Sequence, residues 1–326
     1  MKTSVLILGA KGMLGGALAR LFTSLNEYET TLWDKEDIDI SRTEDLRQKI
    51  VDLWPDVIIN AAAYNNVDLC EEDSAQYRLA QSINAVAPGE LAQISAGLRS
   101  LFIHFSSDYV FDGSRPRYDS PSGRPDDCCG EKCPGCQYLG AKETLEYFAY
   151  RENDLPNPIS RYGQTKLAGE RAVAEKGSEY LIIRLSKLFG APAQAEGAKR
   201  SFFDIMLEVA ERQDLIKAVE SETSCFTYAP DLAAATERLI RHRPRSGVYH
   251  LVNEGAVTWY GAVRELYSLA GVKKTVEPVS PEEFPRPAKR PSSSVLLNTK
   301  LPSDLAPLRP WTEALREYLA ETGRLS

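Results

Sequence analysis

The most constraining feature of this chain is its opening. The apolar run Ser4-Val5-Leu6-Ile7-Leu8 leads into Gly9-Ala10-Lys11-Gly12-Met13-Leu14-Gly15, and apolar residues then recur at Leu14, Leu18, Leu21 and Phe22. An apolar run without alternation reads as a strand buried on both faces, and the spacing after it reads as an amphipathic helix. Gly9, Gly12 and Gly15 between the two form G-x-x-G-x-x-G. A tight turn needs residues without Cβ, and a pyrophosphate needs close access to the amides at a helix N-terminus. A strand–glycine turn–helix therefore predicts a dinucleotide-binding α/β fold. A glycine-rich turn without a ligand is the alternative.

The rest of the chain continues that rhythm. Strands are expected near Thr30–Trp33, Asp56–Asn60, Leu101–Phe105 and Tyr180–Leu185. Helices are expected near Glu44–Leu53, Glu72–Gln81, Ala87–Leu98 and Thr312–Glu321. Alternation of this kind implies a Rossmann-like, doubly wound parallel sheet. At about 150 residues per domain, 326 residues suggest two units. We expect a dinucleotide-binding domain over 1–185 and a smaller C-terminal substrate lobe over 186–326, with some segments returning to the first. A Cys-rich insertion at about 121–149 interrupts the pattern, with one helical patch near Ala141–Tyr150.

Composition narrows the function. The 46 acidic residues exceed the 39 basic ones, which argues against a nucleic-acid partner. No apolar run reaches the roughly 18 residues of a membrane span, and the opening residues lack a signal peptide, so a cytoplasmic protein is expected.

Asp34 closes the second predicted strand. A carboxylate there can accept from the adenosine ribose and repel a 2′-phosphate, a slight lean to NAD over NADP that Lys11 in the turn offsets. A solvated turn residue is the plainer reading. After the third strand, the small residues of Asn60-Ala61-Ala62-Ala63-Tyr64 let the backbone pass under a cofactor, or simply cap a helix–sheet contact.

Tyr162-Gly163-Gln164-Thr165-Lys166 is Tyr-x-x-x-Lys at a helix start. The i, i+4 spacing places both side chains on one face, and a nearby ammonium lowers a phenol's pKa. Such a phenol can exchange a proton with a carbonyl or alcohol during hydride transfer. Ser107, after the fourth strand, stands where doubly wound sheets bind ligands and could hydrogen-bond the same oxygen. A surface Tyr and Lys, and a Ser turn cap, are the bland readings.

Together these blocks resemble the extended short-chain dehydrogenase/reductases, and within them the dTDP-4-dehydrorhamnose reductase group. The matching pieces are the glycine turn, Asp39-Ile40, the 60–64 block, Val67-Asp68, Asn84-Ala85, Ser107-Asp108-Tyr109-Val110-Phe111-Asp112-Gly113, the Tyr162 block and Arg290-Pro291-Ser292-Ser293-Ser294-Val295-Leu296. The resemblance implies reduction of a 4-keto group on a nucleotide-linked deoxysugar, with hydride from NADH or NADPH. Tyr162 would be the general acid, Lys166 would tune it and hold the nicotinamide ribose, and Ser107 would orient the carbonyl. Gly9, Gly12, Met13, Leu14, Gly15, Asp34, Asp39, Ile40, Ala61, Ala62, Ala63, Tyr64 and Asn84 would line the cofactor. Asp108, Tyr109, Lys187 and Arg290 would reach the substrate. A homo-oligomer is expected.

Three positions depart from that group. Lys187 stands where it usually has Trp, Asn65 follows Ala-Ala-Tyr where Thr is common, and the segment Ser221–Thr227 lacks its Asp-Gln start. The insertion is a fourth. Its Cys128, Cys129, Cys133 and Cys136 have spacing that suits a metal, zinc first and an iron–sulfur cluster second, with free thiols or a redox disulfide as alternatives. A metal-stapled flap over the sugar, or a subunit contact, would follow. Two other functions stay open, a nucleotide-sugar epimerase or dehydratase and a non-catalytic cofactor-binding regulatory subunit.

Overall fold

The structure, a computed structural model, describes residues 2–115, 148–194 and 200–326. Cys128, Cys129, Cys133 and Cys136, and most of the helical patch expected at 141–150, lie outside the described residues.

Six parallel strands build the central sheet. They are β1 (Thr3–Leu8), β2 (Tyr28–Trp33), β3 (Val57–Asn60), β4 (Leu101–Ser107), β5 (Tyr180–Leu185) and the strand Gly247–His250. Their order across the sheet is Gly247–His250, β5, β4, β3, β1, β2. The chain winds outward from β1 in both directions, so a crevice opens between the C-terminal ends of β1 and β3. Doubly wound sheets bind ligands in such crevices.

Alternate residues of each strand fill two cores. Val5, Ile7, Val57, Ile59, Ile103 and Ile183 face one side with Leu18 and Phe22 of helix α1 (Met13–Ser24) and Leu232 and Leu239 of the helix Ala229–His242. Leu6, Leu8, Ile58, Phe102 and Ile182 face the other, with Leu46 and Ile50 of helix α2 (Thr43–Leu53) and Leu91 and Ile94 of Ala87–Leu98. Burial on both faces explains the unbroken apolar runs.

A third core is rich in aromatic side chains. Phe189, Phe203, Phe226, Tyr228, Trp311 and Tyr318 pack with Ile216 and Leu266. Short strand pairs frame it, Leu215–Val219 with Thr275–Val279 and Thr223–Cys225 with Ala256–Thr258. The closing helix spans Trp311–Glu321, one residue longer than expected.

The strand Gly247–His250 and the helices Phe202–Arg212, Ala229–His242 and Trp259–Leu269 were not foreseen, and the stretch before Ala87 departs from the sequence expectation. The helix foreseen at Glu72–Gln81 is two pieces, Leu69–Glu72 and Ser74–Gln81. The Asp73 side chain accepts from the Ala75 and Gln76 amides, so it caps a new helix rather than continuing the old one. Ser82–Val86 then runs on as a π-helical turn into Ala87–Leu98. Such turns recur at functional sites because they re-aim a side chain, here Asn84.

Candidate active site

The glycine turn joins β1 to α1 at the crevice. Gly9 has φ +78°, and a Cβ on it would lie 2.7 Å from the Ala62 nitrogen. A Cβ on Gly15 would collide with the Gly9 carbonyl oxygen. Gly12 caps α1 without any side-chain hydrogen bond, and the first turn, which includes Met13, Leu14 and Gly15, carries no acidic residue. A cradle free of side chains at an uncapped, acid-free helix N-terminus fits a pyrophosphate.

Asp34 stands at the rim, and its carboxylate is already engaged. It accepts from the Lys11 backbone N–H at 2.7 Å and from the Lys35 N–H at 2.8 Å. It therefore pins the glycine turn to the end of β2 as well as facing the crevice. The Lys11 ammonium pairs with Glu36 at 2.9 Å, and both side chains are exposed. Asp39 accepts from the Ser41 amide and hydroxyl, and Ile40 is buried in the core beside α2.

Asn84 is a strut. Its amide oxygen accepts from the Tyr64 N–H, and its amide nitrogen donates to the Tyr64 carbonyl and the Thr165 hydroxyl. It thereby ties the Ala61-Ala62-Ala63-Tyr64 loop to the helix Arg161–Lys176. The Tyr64 hydroxyl continues to Gln76 at 2.8 Å. Asn84 thus holds the two walls of the cofactor crevice together.

The helix Arg161–Lys176 starts on Ser160, whose hydroxyl accepts from the Gly163 amide. This cap places Tyr162 at the first turn, buried beside the end of β4. Its ring meets Tyr109 edge-on, with centroids 5.6 Å apart. Burial raises the phenol's pKa, with Asp108 and Tyr109 adding to the rise and hydrogen bonding with Ser107 opposing it.

Lys166 has a backbone partner of its own. Its ammonium donates to the Phe105 carbonyl at 2.7 Å, and burial brings its own pKa down to about 8. The Lys166 stem reaches the end of β4, where Phe105 lies. The protein groups therefore keep the phenol protonated at neutral pH, which suits a proton donor.

Ser107, Asp108, Ser186 and Ser294 form a buried network. Ser107 donates to one Asp108 oxygen at 3.0 Å, while Ser186 at 2.8 Å and Ser294 at 2.6 Å donate to the other. Burial pushes the Asp108 carboxyl up, and these hydroxyls pull it back. The Ser107 oxygen also accepts from the Tyr109 amide. Ser107 thus presents an oxygen toward Tyr162, and rotation of its hydroxyl can offer the proton to a substrate oxygen instead.

Arg290 lies over the Tyr109 ring at 5.6 Å and donates to Asp68 at 2.6 Å. Its Nε and Nη1 are buried without a hydrogen-bond partner among the described residues. Lys187 shares that condition. Its Nζ is buried and unpartnered, 3.6 Å from the centre of the Trp259 ring. The structure thus gathers Ser107, Asp108, Tyr109, Tyr162, Lys187 and Arg290 around one region at the end of β4.

The sequence did not flag Ser186, Ser294, Glu222, Trp259 or Arg286. Trp259 donates to Glu222, and Glu222 pairs with Arg286. Ser294 lies in the quoted Arg290 block, so that block held the signal. Glu222 lies in the departing segment Ser221–Thr227 and Ser186 beside Lys187, while Trp259 and Arg286 approach through the fold alone. Among the described residues, no cluster of His, Cys, Asp and Glu could hold a metal ion. No described helix is long and apolar enough to cross a membrane.

Comparison with known proteins agrees with this geometry. The chain matches the family described as RmlD substrate binding domain over residues 1–324. It belongs to the RmlD substrate-binding family. A dTDP-4-dehydrorhamnose reductase of Burkholderia thailandensis is 31% identical, with 91% of each chain covered. The spore coat polysaccharide biosynthesis protein SpsK of Bacillus subtilis is 30% identical, with 98% of each covered. Among solved structures, a dTDP-4-dehydrorhamnose reductase from Bacillus anthracis in complex with NADP superimposes with a TM-score of 0.82. It is 30% identical, and the match covers 98% of this chain and 100% of that one. As an RmlD-family protein, the chain shares the parallel sheet and crevice of extended short-chain dehydrogenases. UDP-glucose 4-epimerase of Thermus thermophilus, at 16% identity and a TM-score of 0.68, shares the fold alone.

Proposed function

We propose that this RmlD-family protein is an NAD(P)H-dependent reductase of the 4-keto group of a nucleotide-linked deoxysugar, of the dTDP-4-dehydrorhamnose reductase type. The observation that carries the reading is the meeting of a buried, protonated Tyr162 with Ser107 and Asp108 at the mouth of a dinucleotide crevice. When bound, the reduced dinucleotide supplies the hydride. Tyr162 donates a proton to the carbonyl oxygen as it becomes an alcohol, and Ser107 holds that oxygen and the phenol in line. Asp108 fixes Ser107, and Lys166 braces the helix against β4 and would hold the nicotinamide ribose. Asp34 and the Gly9–Gly15 turn would hold the adenosine and pyrophosphate.

The geometry favours this over dehydration. A dehydratase needs a carboxyl able to protonate a leaving hydroxyl, and Asp108 accepts three serine hydroxyls. A purely regulatory subunit has no use for Tyr162, Ser107 and Lys166 in this arrangement. We place the enzyme in the cytoplasm and expect it to assemble as a homo-oligomer. Zinc on the four clustered cysteines would rest on their spacing and enters no step. The test of the reading is consumption of NADPH or NADH that depends on a 4-ketosugar nucleotide.

Two further results are expected. The rate of ketone reduction holds below pH about 8 and falls above it, because Lys166, brought down to about 8 by burial, then loses the charge with which it would hold the nicotinamide ribose. A profile flat to pH about 10, near an ordinary lysine, would contradict this. Lys11 is the cation best placed to meet a 2′-phosphate once it leaves Glu36. Lys11→Glu should raise KM for NADPH by about tenfold and for NADH by less than about twofold, in keeping with a charge-assisted contact. Equal changes for both cofactors would remove Lys11 from that role.

A further inference from the structure

Lys187 occupies an unusual position for an ammonium group. It has φ +35°, a left-handed conformation uncommon for a residue with a side chain. The turn is held from both sides. The Thr227 hydroxyl donates to the Ser186 carbonyl at 2.6 Å, and the Thr227 amide donates to the Lys187 carbonyl. This backbone aims the side chain inward, over the faces of Trp259 at 3.6 Å and Phe226 at 5.4 Å. Trp259 is itself fixed, since its indole N–H donates to Glu222, which pairs with Arg286.

The two nearby acids do not fill the Lys187 donors. Asp108 and Glu222 act on Lys187 electrostatically, yet neither forms an ion pair or hydrogen bond with it among the described residues. Asp108 instead takes hydroxyls from Ser107, Ser186 and Ser294, and Glu222 takes Trp259 and Arg286. The Thr223 hydroxyl, two residues from Cys225 on the same strand, is likewise buried without a partner. A held, inward-facing ammonium with unused N–H groups needs an acceptor from outside the protein, because a buried donor left unpaired is costly.

We propose that Lys187 is a specificity-determining residue that reads the hydroxyl pattern of the hexose. Its ammonium donates to a hydroxyl oxygen at C2 or C3 of the bound sugar, and the site selects hexoses that retain that hydroxyl. This rests on the reductase reading above, because Asp108 links Lys187 to the Ser107 and Tyr162 pair. Sites built to hydrogen-bond a substrate hydroxyl reject the analogue lacking it far more strongly than apolar pockets do.

The experiment compares wild type, Lys187→Met and Lys187→Arg on three substrates. These are a dTDP-4-keto-6-deoxyhexose and its 2-deoxy and 3-deoxy counterparts. Wild type is expected to discriminate against one deoxysugar by at least about thirtyfold in kcat/KM. Lys187→Met should lose a similar factor on the parent sugar, mainly in KM, lose less than about twofold on that deoxysugar, and leave the KM for the dinucleotide unchanged. Lys187→Arg keeps the charge but moves the donors, so it should also lose the discrimination. If Lys187 only balances Asp108, Lys187→Arg will behave as wild type and Lys187→Met will weaken all three sugars equally. Either result overturns the inference and spares the reductase reading. Absence of wild-type turnover on every 4-ketosugar nucleotide overturns the reductase reading, and the inference with it.

Discussion

Replacing Tyr162 by Phe is expected to lower kcat for ketone reduction by about a thousandfold, the usual scale of a lost general acid. The ring would remain edge-on against Tyr109, so the packing at the end of β4 survives. Only the hydroxyl is lost, together with its hydrogen bonding to Ser107. Burial and the neighbouring Asp108 hold the phenol's proton at neutral pH. Neither neighbouring acid among the described residues stands ready to replace it, because Asp108 is surrounded by hydroxyl donors and Lys166 donates to the Phe105 carbonyl. The dinucleotide Kd should stay within about twofold, which separates lost chemistry from lost binding. Rapid-mixing measurements of a single turnover, with dinucleotide titration alongside, check both. A single-turnover rate close to wild type would place the proton elsewhere.

The second large effect concerns stability. Glu170 and Arg184 are both buried and joined by two hydrogen bonds, at 2.8 and 2.6 Å. Glu170 lies on the helix that carries Tyr162 and Lys166, and Arg184 lies on β5. The guanidinium also sits over the Phe111 ring at 5.0 Å and beside His250, whose pKa burial lowers to about 3, leaving it neutral. Glu170→Ala leaves that guanidinium buried without its carboxylate, at an expected loss of about 3–5 kcal/mol. Pairing it with Arg184→Met should restore much of the loss, since the isolated charge goes too. Denaturant midpoints at constant m-value would read both. A loss below about 1 kcal/mol for the single variant would show that Arg184 finds another partner.

These two sites illustrate what the sequence makes legible. Most of the sheet was visible because β1, β3, β4 and β5 are largely buried on both faces and read as apolar runs, whereas the half-exposed edge strand Gly247–His250 was not foreseen. The glycine turn was visible because its constraint is local, a backbone passing over Ala62 where no Cβ fits. The helix that carries Tyr162 announced itself through Tyr-x-x-x-Lys, while its Ser160 cap emerged only in the structure. The network around Asp108 was not legible, because its hydroxyls come from positions 107, 186 and 294, and no local pattern marks their approach. The Arg290–Asp68 pair and the Glu170–Arg184 pair are of the same kind. An i, i+4 relation put Tyr162 and Lys166 on one face, but spacing could not specify that the Lys166 ammonium would find an acceptor in the Phe105 carbonyl. The break at Asp73 was also missed, because a carboxylate inside a helical stretch can cap as readily as continue it.

The sequence marks Lys187 as a departure from the reductase group. The structure shows why the departure has consequences, since its ammonium is held against Trp259 with donors to spare.

The most direct test follows the hydride. The protein would be incubated with dTDP-4-dehydrorhamnose and NADPH carrying deuterium at the transferable position of the nicotinamide, and the sugar product examined by NMR. We expect one deuterium at C4 of a newly formed alcohol for each dinucleotide oxidised, and none with Tyr162→Phe on the same timescale. Tight dinucleotide binding with no deuterium reaching C4, from this or any other 4-ketosugar nucleotide, would contradict the assignment of this site as a reductase.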